Sequence, residues 1–386
     1  MAKSVIYIDE PGKLETNVLL STTKPERLLD GESPRLIDEW QLTPGLWDVI
    51  RYRVDHFNQE RFILTGSSVP PNTDEIRHSG AGRFSWIRMR PMSLWESGES
   101  SGEVHLAELF NGIDASGARA MEPDLERLAF LLCRGGWPVA CELRGTVALN
   151  RAFSYVDAVV KSDISRVDGV RRDETRARRL MRSYARLQGT QATAAVIKAD
   201  LAENEPHAFS EETVCSYVNA FKKIFVIEDM AAWCPNLRTK AVIRTSDTRY
   251  FTDPSMAAAS LGVGPEDLLN DIKTFGLLFE TMAVRDLRVY AQALNGTVAH
   301  YLDAGGLECD AVVHLRNGRY GLVEIKLGGK ELIEKGARTL CKLTERIDTV
   351  RMKEPSFKMV LTATGDYAYR RPDDNVLVCP ISCLRP

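Results

Sequence analysis

Short apolar runs bounded by polar residues alternate with a stretch of helical period along the first hundred residues. Val5, Ile6 and Ile8 mark a β-rich run at 4–8, and Leu36 and Ile37 a second at 35–37. Two more runs follow at 62–67 and 84–89, the last carrying Phe84, Trp86 and Ile87. Between the second and third, Trp47, Ile50, Val54 and Phe57 recur at helical spacing, which predicts a helix over 46–57. Strands alternating with helices build a parallel sheet. From 106 to 200 the pattern is helical, broken at Arg134-Gly135-Gly136-Trp137-Pro138. Ser210 then suits an N-cap, with Thr213 near the first turn of a helix reaching residue 223. The strand-like run 224–227 after it suggests a small winged-helix unit.

A last α/β unit starts near Pro265. The spacing predicts a helix over 269–294, then strands at 297–302 and 309–315 separated by a Gly305-Gly306 turn. Arg316-Asn317-Gly318 has the chemistry of a hairpin turn and leads into a strand at 320–327. A helix over 332–347 and strands at 357–362 and 376–379 complete the unit. There is no internal repeat or low-complexity segment.

Composition narrows the function classes. A chain of 386 residues has the length of roughly two or three domains. Net charge is −3 with 27% charged residues, so no overall field favours nucleic acid or a membrane. The stretch 161–186 is the best local basic patch, and Arg172, Arg176, Arg178, Arg179 and Arg182 in it are candidates for phosphate contact with DNA. Asp163, Asp168, Asp173 and Glu174 dilute that charge, and a solvated helix face is the alternative. The eight cysteines are scattered singly without a CxxC pair, which argues against structural zinc and for reduced thiols in the cytosol. No apolar run approaches the roughly 20 residues of a membrane span, and residues 1–10 read as a strand and not a leader. The expectation is a soluble cytoplasmic protein with no membrane partner.

Candidate chemistry appears first at Asp38-Glu39. An apolar run ending in two adjacent carboxylates is where P-loop ATPases place a magnesium-side aspartate and a glutamate that orients water. Acids at the start of the following helix are the alternative. Thr65 ends the next apolar run, and Arg83 precedes another, as a cation able to stabilise phosphoryl charge or as a turn arginine on the surface. The phosphate-cradling Gly-Lys-Ser/Thr is absent: Leu14 follows Gly12-Lys13, and Glu331 follows Gly329-Lys330.

Taken as an ordered set, these segments resemble a known family. Residues 35–41 (Arg-Leu-Ile-Asp-Glu-Trp-Gln), 62–67, 78–83 (His-Ser-Gly-Ala-Gly-Arg) and 90–96 are similar to AAA-type predicted ATPases of bacteria and archaea that carry an uncharacterised C-terminal domain. The similarity continues through 134–138, 251–255, 276–280 and 323–327. It implies a γ-phosphate-sensing role for Thr65, an arginine-finger role for Arg83, and ATP as cofactor wherever a P-loop is present. In the family a P-loop and its helix precede the strand matching 4–8, so about 30–40 residues are expected to be missing here. A late start codon or a degenerate copy would account for that.

The second candidate lies at Asp310, Glu324 and Lys326, which resembles the PD-(D/E)xK nuclease pattern. Glu324 and Lys326 flank Ile325, so both point to one face of a strand while Ile325 enters the core. Asp310 on the paired strand can share a metal with Glu324, and Lys326 can stabilise hydroxide or phosphate. Oxygen ligands suit Mg2+ or Mn2+. Glu280 in the preceding helix is a further acid, and Glu308 an alternative ligand. An exposed charged ladder across a hairpin is the plain alternative.

The reading is a multidomain α/β protein. An AAA-type core lacking its P-loop spans 1–112, a helical lid-like segment 113–200, a winged-helix-like segment 201–262, and a PD-(D/E)xK-like domain 263–386. Asp38, Glu39, Thr65 and Arg83 would serve ATP hydrolysis, with Asp38 on the metal. Asp310, Glu324, Lys326 and Glu280 would serve a Mg2+-dependent nuclease, with Asp310 and Glu324 on the metal and DNA as partner. A regulatory protein with relic sites and a nuclease independent of ATP are the alternatives. An oligomer is also compatible with the chain.

Overall fold

The N-terminal alternation forms β1 (Ser4–Tyr7), α1 (Leu14–Thr23), α2 (Glu26–Leu29), β2 (Arg35–Asp38), α3 (Leu46–His56) and β3 (Phe62–Thr65). A computed structural model describes residues 2–57, 60–70, 80–122, 124–204, 209–235 and 243–386. The chain divides into two units that interleave in sequence. The first takes 1–89, 161–173 and 218–225, and the second takes 90–160, 174–217 and 226–386. The sequence boundaries at 112, 200 and 262 do not coincide with that division.

In the first unit the strands pair in the order β1-β2-β3, all parallel, as the alternating pattern requires. Helix α3 is amphipathic and buries Leu46, Trp47 and Ile50 with Ile8, Ile37 and Trp40. Asn17 of α1 donates to the carbonyls of Ile8 (3.0 Å) and Tyr7 (3.3 Å), pinning the helix to the strand end. The strand expected at 84–89 does not form. Phe84 stacks on Trp47 with ring centroids 3.6 Å apart, and Trp86 stacks on it at 5.4 Å. Phe84 is thus packed by a helix side chain without a neighbouring strand, and Trp86 stays 74% exposed. Part of the 78–83 motif, His78 and Ser79, lies outside the described residues.

The middle of the chain carries β4 (Val104–His105), α4 (Leu106–Phe110), α5 (Leu125–Arg134), α6 (Pro138–Glu142), α7 (Gly145–Ala158), α8 (Ile164–Arg166), α9 (Glu174–Arg186), α10 (Ala194–Asn204), α11 (Glu211–Lys223) and α12 (Pro254–Leu261). The break between α5 and α6 is built by its glycines. Gly135 ends α5 at φ +74°, and a Cβ on Gly136 would lie 2.0 Å from the Met92 carbonyl oxygen. Ser210 accepts from the Thr213 amide at 3.1 Å, so it caps α11 as expected. The strand expected at 224–227 is replaced by single bridges, Ile227 to Phe251 and Met230 to Thr248. Phe225 sits at φ +59°, which turns the backbone out of the extended region directly after α11. Among the described residues of 201–262 no paired wing strands occur.

The second unit continues with α13 (Pro265–Asn270), α14 (Ile272–Ala293), β5 (Gly296–Leu302), β6 (Glu308–Leu315), β7 (Tyr320–Lys326), α15 (Lys330–Arg346), β8 (Phe357–Thr362), β9 (Tyr369–Arg370), β10 (Leu377–Pro380) and β11 (Leu384–Arg385). The single helix expected over 269–294 is two helices. Asp271 accepts from the amides of Lys273 and Thr274, both at 3.2 Å, and so starts α14 afresh. Six strands order as β5-β6-β7-β8-β10-β9. β5, β6 and β7 form an antiparallel meander, and α15 then carries the chain to β8, parallel to β7. The core under α15 joins Val312, Leu322, Tyr320 and Val360 to Ala337, Leu340 and Leu343. Short β11 pairs with β4. Among the described residues no helix is long and apolar enough to cross a membrane.

Candidate functional site

At the carboxyl ends of β2 and β3, register pairs Asp38 with Thr65, so the two side chains share a face. Thr65 Oγ1 donates to Asp38 Oδ1 at 2.5 Å. Glu39 follows the strand at φ +54°, a left-handed conformation that non-glycine residues adopt only with some strain. Its Oε2 accepts from Gln41 Nε2 at 2.5 Å and from Ser67 Oγ at 3.1 Å. Gln41 is only 3% exposed, and a Cβ on Gly66 would fall 2.2 Å from its Oε1, so glycine is what that turn accommodates. Arg83 points elsewhere: its Nε donates to Asp55 Oδ1 at 2.8 Å. The pair holds the Asp55 carboxyl below its usual range. The structure therefore brings Asp38, Glu39 and Thr65 into one neighbourhood and engages Arg83 with Asp55. Gln41 is an addition; its signal was its place in the Asp-Glu-Trp-Gln run.

The second site sits where β6 and β7 part. Their backbone ladder runs as far as the pair Ala311–Val323, and beyond it Asp310 Oδ2 accepts from the Ile325 amide at 2.7 Å. Lys326 Nζ lies 2.7 Å from Asp310 Oδ2 and 2.7 Å from Glu324 Oε2. Glu324 is 4% exposed. Burial first, and then the charge of Asp310, pushes its carboxyl up to about 8. For Lys326, burial opposes the ammonium, yet Asp310 and Glu324 outweigh it and hold the group well above its usual value.

Glu280 projects toward this cluster from α14. Burial and the Asp310 charge push its carboxyl up to about 8 as well. Its Oε1 accepts from the hydroxyl of Tyr250, itself 1% exposed. Tyr250 was not foreseen, and nothing in its neighbourhood of sequence marks it. Glu308 is raised too, by burial and then by Asp310. Negative charge thus exceeds the one ammonium paired with Asp310 and Glu324, and burial together with the Asp310 charge raises Glu280 and Glu324, while Glu308 lies at the exposed end of β6.

A surplus of this kind suits a divalent cation. Asp310 and Glu324 offer the hard oxygens that Mg2+ or Mn2+ prefers, and Mg2+ commonly takes one or two carboxylates with waters and substrate phosphates completing its shell. Among the described residues no three His, Cys, Asp or Glu side chains converge closely enough to hold a metal by themselves. The expected arginine contacts are mostly internal pairs. Arg172 bonds Asp168 at 2.7 Å, Arg178 bonds Asp157 at 2.7 Å, and Arg176 lies over the Phe209 ring.

Three family models match separate stretches of the chain. Residues 3–97 match an AAA domain, 125–267 a domain of unknown function (DUF8612), and 275–384 another domain of unknown function (DUF4143). No curated protein matches. Among solved structures, the Walker-type ATPase PABY2304 of Pyrococcus abyssi is similar at 17% identity and a TM-score of 0.35. That alignment covers 58% of this chain and 62% of the other, less than two thirds of its length. The parallel sheet β1-β2-β3 thus falls within the stretch that is similar to an AAA domain, and the two matches to domains of unknown function follow it in sequence.

Proposed function

We propose that this protein is an AAA-type ATPase relative whose own chemistry is metal-dependent hydrolysis of phosphodiester bonds in nucleic acid. The observation that carries the reading is the convergence of Asp310, Glu324 and Lys326 on adjacent strands, with Lys326 Nζ 2.7 Å from both acids. The placement of Glu280 on α14, the helix before the β5-β6-β7 meander, supports it, because the PD-(D/E)xK resemblance implies a further acid on a helix preceding those strands. Asp310 and Glu324 would hold Mg2+, which supplies Lewis acidity at the phosphate and an activated water. Lys326 places positive charge beside the reacting phosphate, and Glu280 adds an acid whose proton is retained toward neutral pH.

The N-terminal site supports the ATPase ancestry. Asp38 and Thr65 share a hydrogen bond at the strand ends, as a magnesium-side aspartate and a sensing hydroxyl would. A Gly-Lys-Ser/Thr loop does not occur in these 386 residues, so the chain as given is expected not to bind ATP tightly. Plasmid cleavage in Mg2+ or Mn2+, abolished by Lys326→Ala, tests the proposal. Intact plasmid with either metal would reject it. The specific observation favouring a non-catalytic protein is that Lys326 is already paired with both acids; in that case Lys326→Ala would change stability alone.

A further inference from the structure

Helix α15 begins directly after β7, through Leu327, Gly328 and Gly329. It is 17 residues long, and its N-cap Gly329 has no side chain to satisfy the first-turn amides. Among the described residues no carbonyl or side chain accepts from the amides of Gly328, Gly329, Lys330 or Glu331. Gly328 and Gly329 take φ of +125° and +85°.

A second, independent feature lies beneath that turn. Thr362 ends β8, is 1% exposed, and its Oγ1 has no hydrogen-bond partner. A buried hydroxyl without a partner is destabilising, and a bound ligand would supply the partner it lacks. Register pairs Thr362 with Lys326 in the parallel ladder, so both side chains leave the same face of the sheet. Helix α15 covers that face, since a Cβ on Gly336 would lie 3.2 Å from both Glu324 Cβ and Val360 Cγ2. Lys330 is six residues back along the helix, or about 9 Å at its rise. Advancing from Glu324 to Lys326 covers about 6.6 Å of strand in the same direction, because a helix joining parallel strands runs against them. The first turn of α15 therefore stands over Lys326 and Thr362.

We infer that the Gly328–Gly329–Lys330 turn, the Thr362 hydroxyl and the Lys330 ammonium form an anion subsite for a phosphate group. Amides converging at a helix N-terminus suit an oxyanion, and ligands of open sheets bind outside the carboxyl ends of parallel strands. The subsite lies on the β8 side of Lys326, while Asp310 and Glu324 approach Lys326 from the β6 and β7 side. A phosphodiester would thus present one phosphate to the α15 turn beside the acids proposed to hold the metal. The identity of the ligand as nucleic acid rests on the proposed hydrolase reading; the subsite itself does not.

The test uses the full chain labelled with 15N-glycine, in EDTA. Inorganic phosphate is titrated first, then a short single-stranded oligodeoxynucleotide lacking terminal phosphates. The Gly328 and Gly329 amide signals should move and saturate with phosphate. Thr362→Val should weaken that binding about three- to tenfold, as loss of one hydrogen bond does, while Thr362→Ser retains it. The valine variant should also unfold at the same or a higher urea concentration, because it removes an unsatisfied hydroxyl. Lys330→Ala gives a second weakening on a surface position. Still glycine signals, or equal affinity in Thr362→Val and wild type, would overturn the subsite. Movement at lower oligonucleotide than phosphate concentration identifies a backbone phosphodiester; movement with inorganic phosphate alone identifies a free phosphate. Saturable phosphate binding without plasmid cleavage would sink the hydrolase reading and leave the subsite standing.

Discussion

Asp253 shows how much one buried side chain can organise. It is 0% exposed, caps α12 through the Ser255 amide, accepts from the Gly136 amide at 3.0 Å and from Arg285 Nη1 at 2.8 Å. Arg285, 2% exposed, also reaches Asp286 at 2.7 Å. Asp286 in turn accepts from the Leu94 amide at 3.0 Å. Removing one partner leaves the rest charged and buried, which typically costs about 3–5 kcal/mol. Asp253→Ala should lower the urea midpoint of the second unit by a corresponding amount without touching Asp310 or Glu324. A midpoint within error of wild type would contradict the network's role. The stretches that hold Gly136, Asp253 and Ser255, 134–138 and 251–255, stood out in the sequence as parts of the family resemblance. Their mutual bonds did not, because 117 positions separate Gly136 from Asp253.

At the scale of elements, β6, β7 and α14 deliver acids to one place, and the consequence is a pH dependence. Glu280 and Glu324 are each raised to about 8, against about 4.3 for a free glutamate. A carboxyl that holds its proton more tightly when folded stabilises the fold fully below its unfolded value. That contribution is lost as pH rises through the folded value. Metal-free protein should therefore lose stability between about pH 5 and about pH 8, followed as a falling urea midpoint. Glu324→Gln, which mimics the protonated group, should flatten that slope, and Mn2+ should raise the midpoint most at the alkaline end. A midpoint that rises over this range would refute the assignment. The hairpin and the facing of Glu324 with Lys326 were legible from two-residue periodicity and Asn-Gly turn chemistry. The run at 84–89 is not a strand: Phe84 packs against Trp47, while Trp86, Ile87 and Met89 stay largely exposed, so apolar composition alone did not mark a buried strand there.

The whole chain folds as two interleaved units, and this bears on how it can be divided. Residues 161–173 and 218–225 belong with 1–89, and they bury Ile164, Val167, Ala220 and Phe221. The Val69 amide donates to the Lys223 carbonyl at 3.0 Å. A fragment ending at residue 89 should consequently lack a cooperative urea transition by circular dichroism. A sharp transition in that fragment would show that the interleaved segments are dispensable. Local pattern was sufficient for most strands and, in outline, for α3, α11, α14 and α15, and it marked Asp38, Thr65, Asp310, Glu324 and Lys326 as candidates. Periodicity and turn chemistry act over a few residues, so they are written locally. The folded chain alone decided that Arg83 turns to Asp55, that Tyr250 reaches Glu280, and that Thr362 lies under the first turn of α15. Those outcomes depend on burial and on partners many positions away, and only packing brings such groups within hydrogen-bonding range.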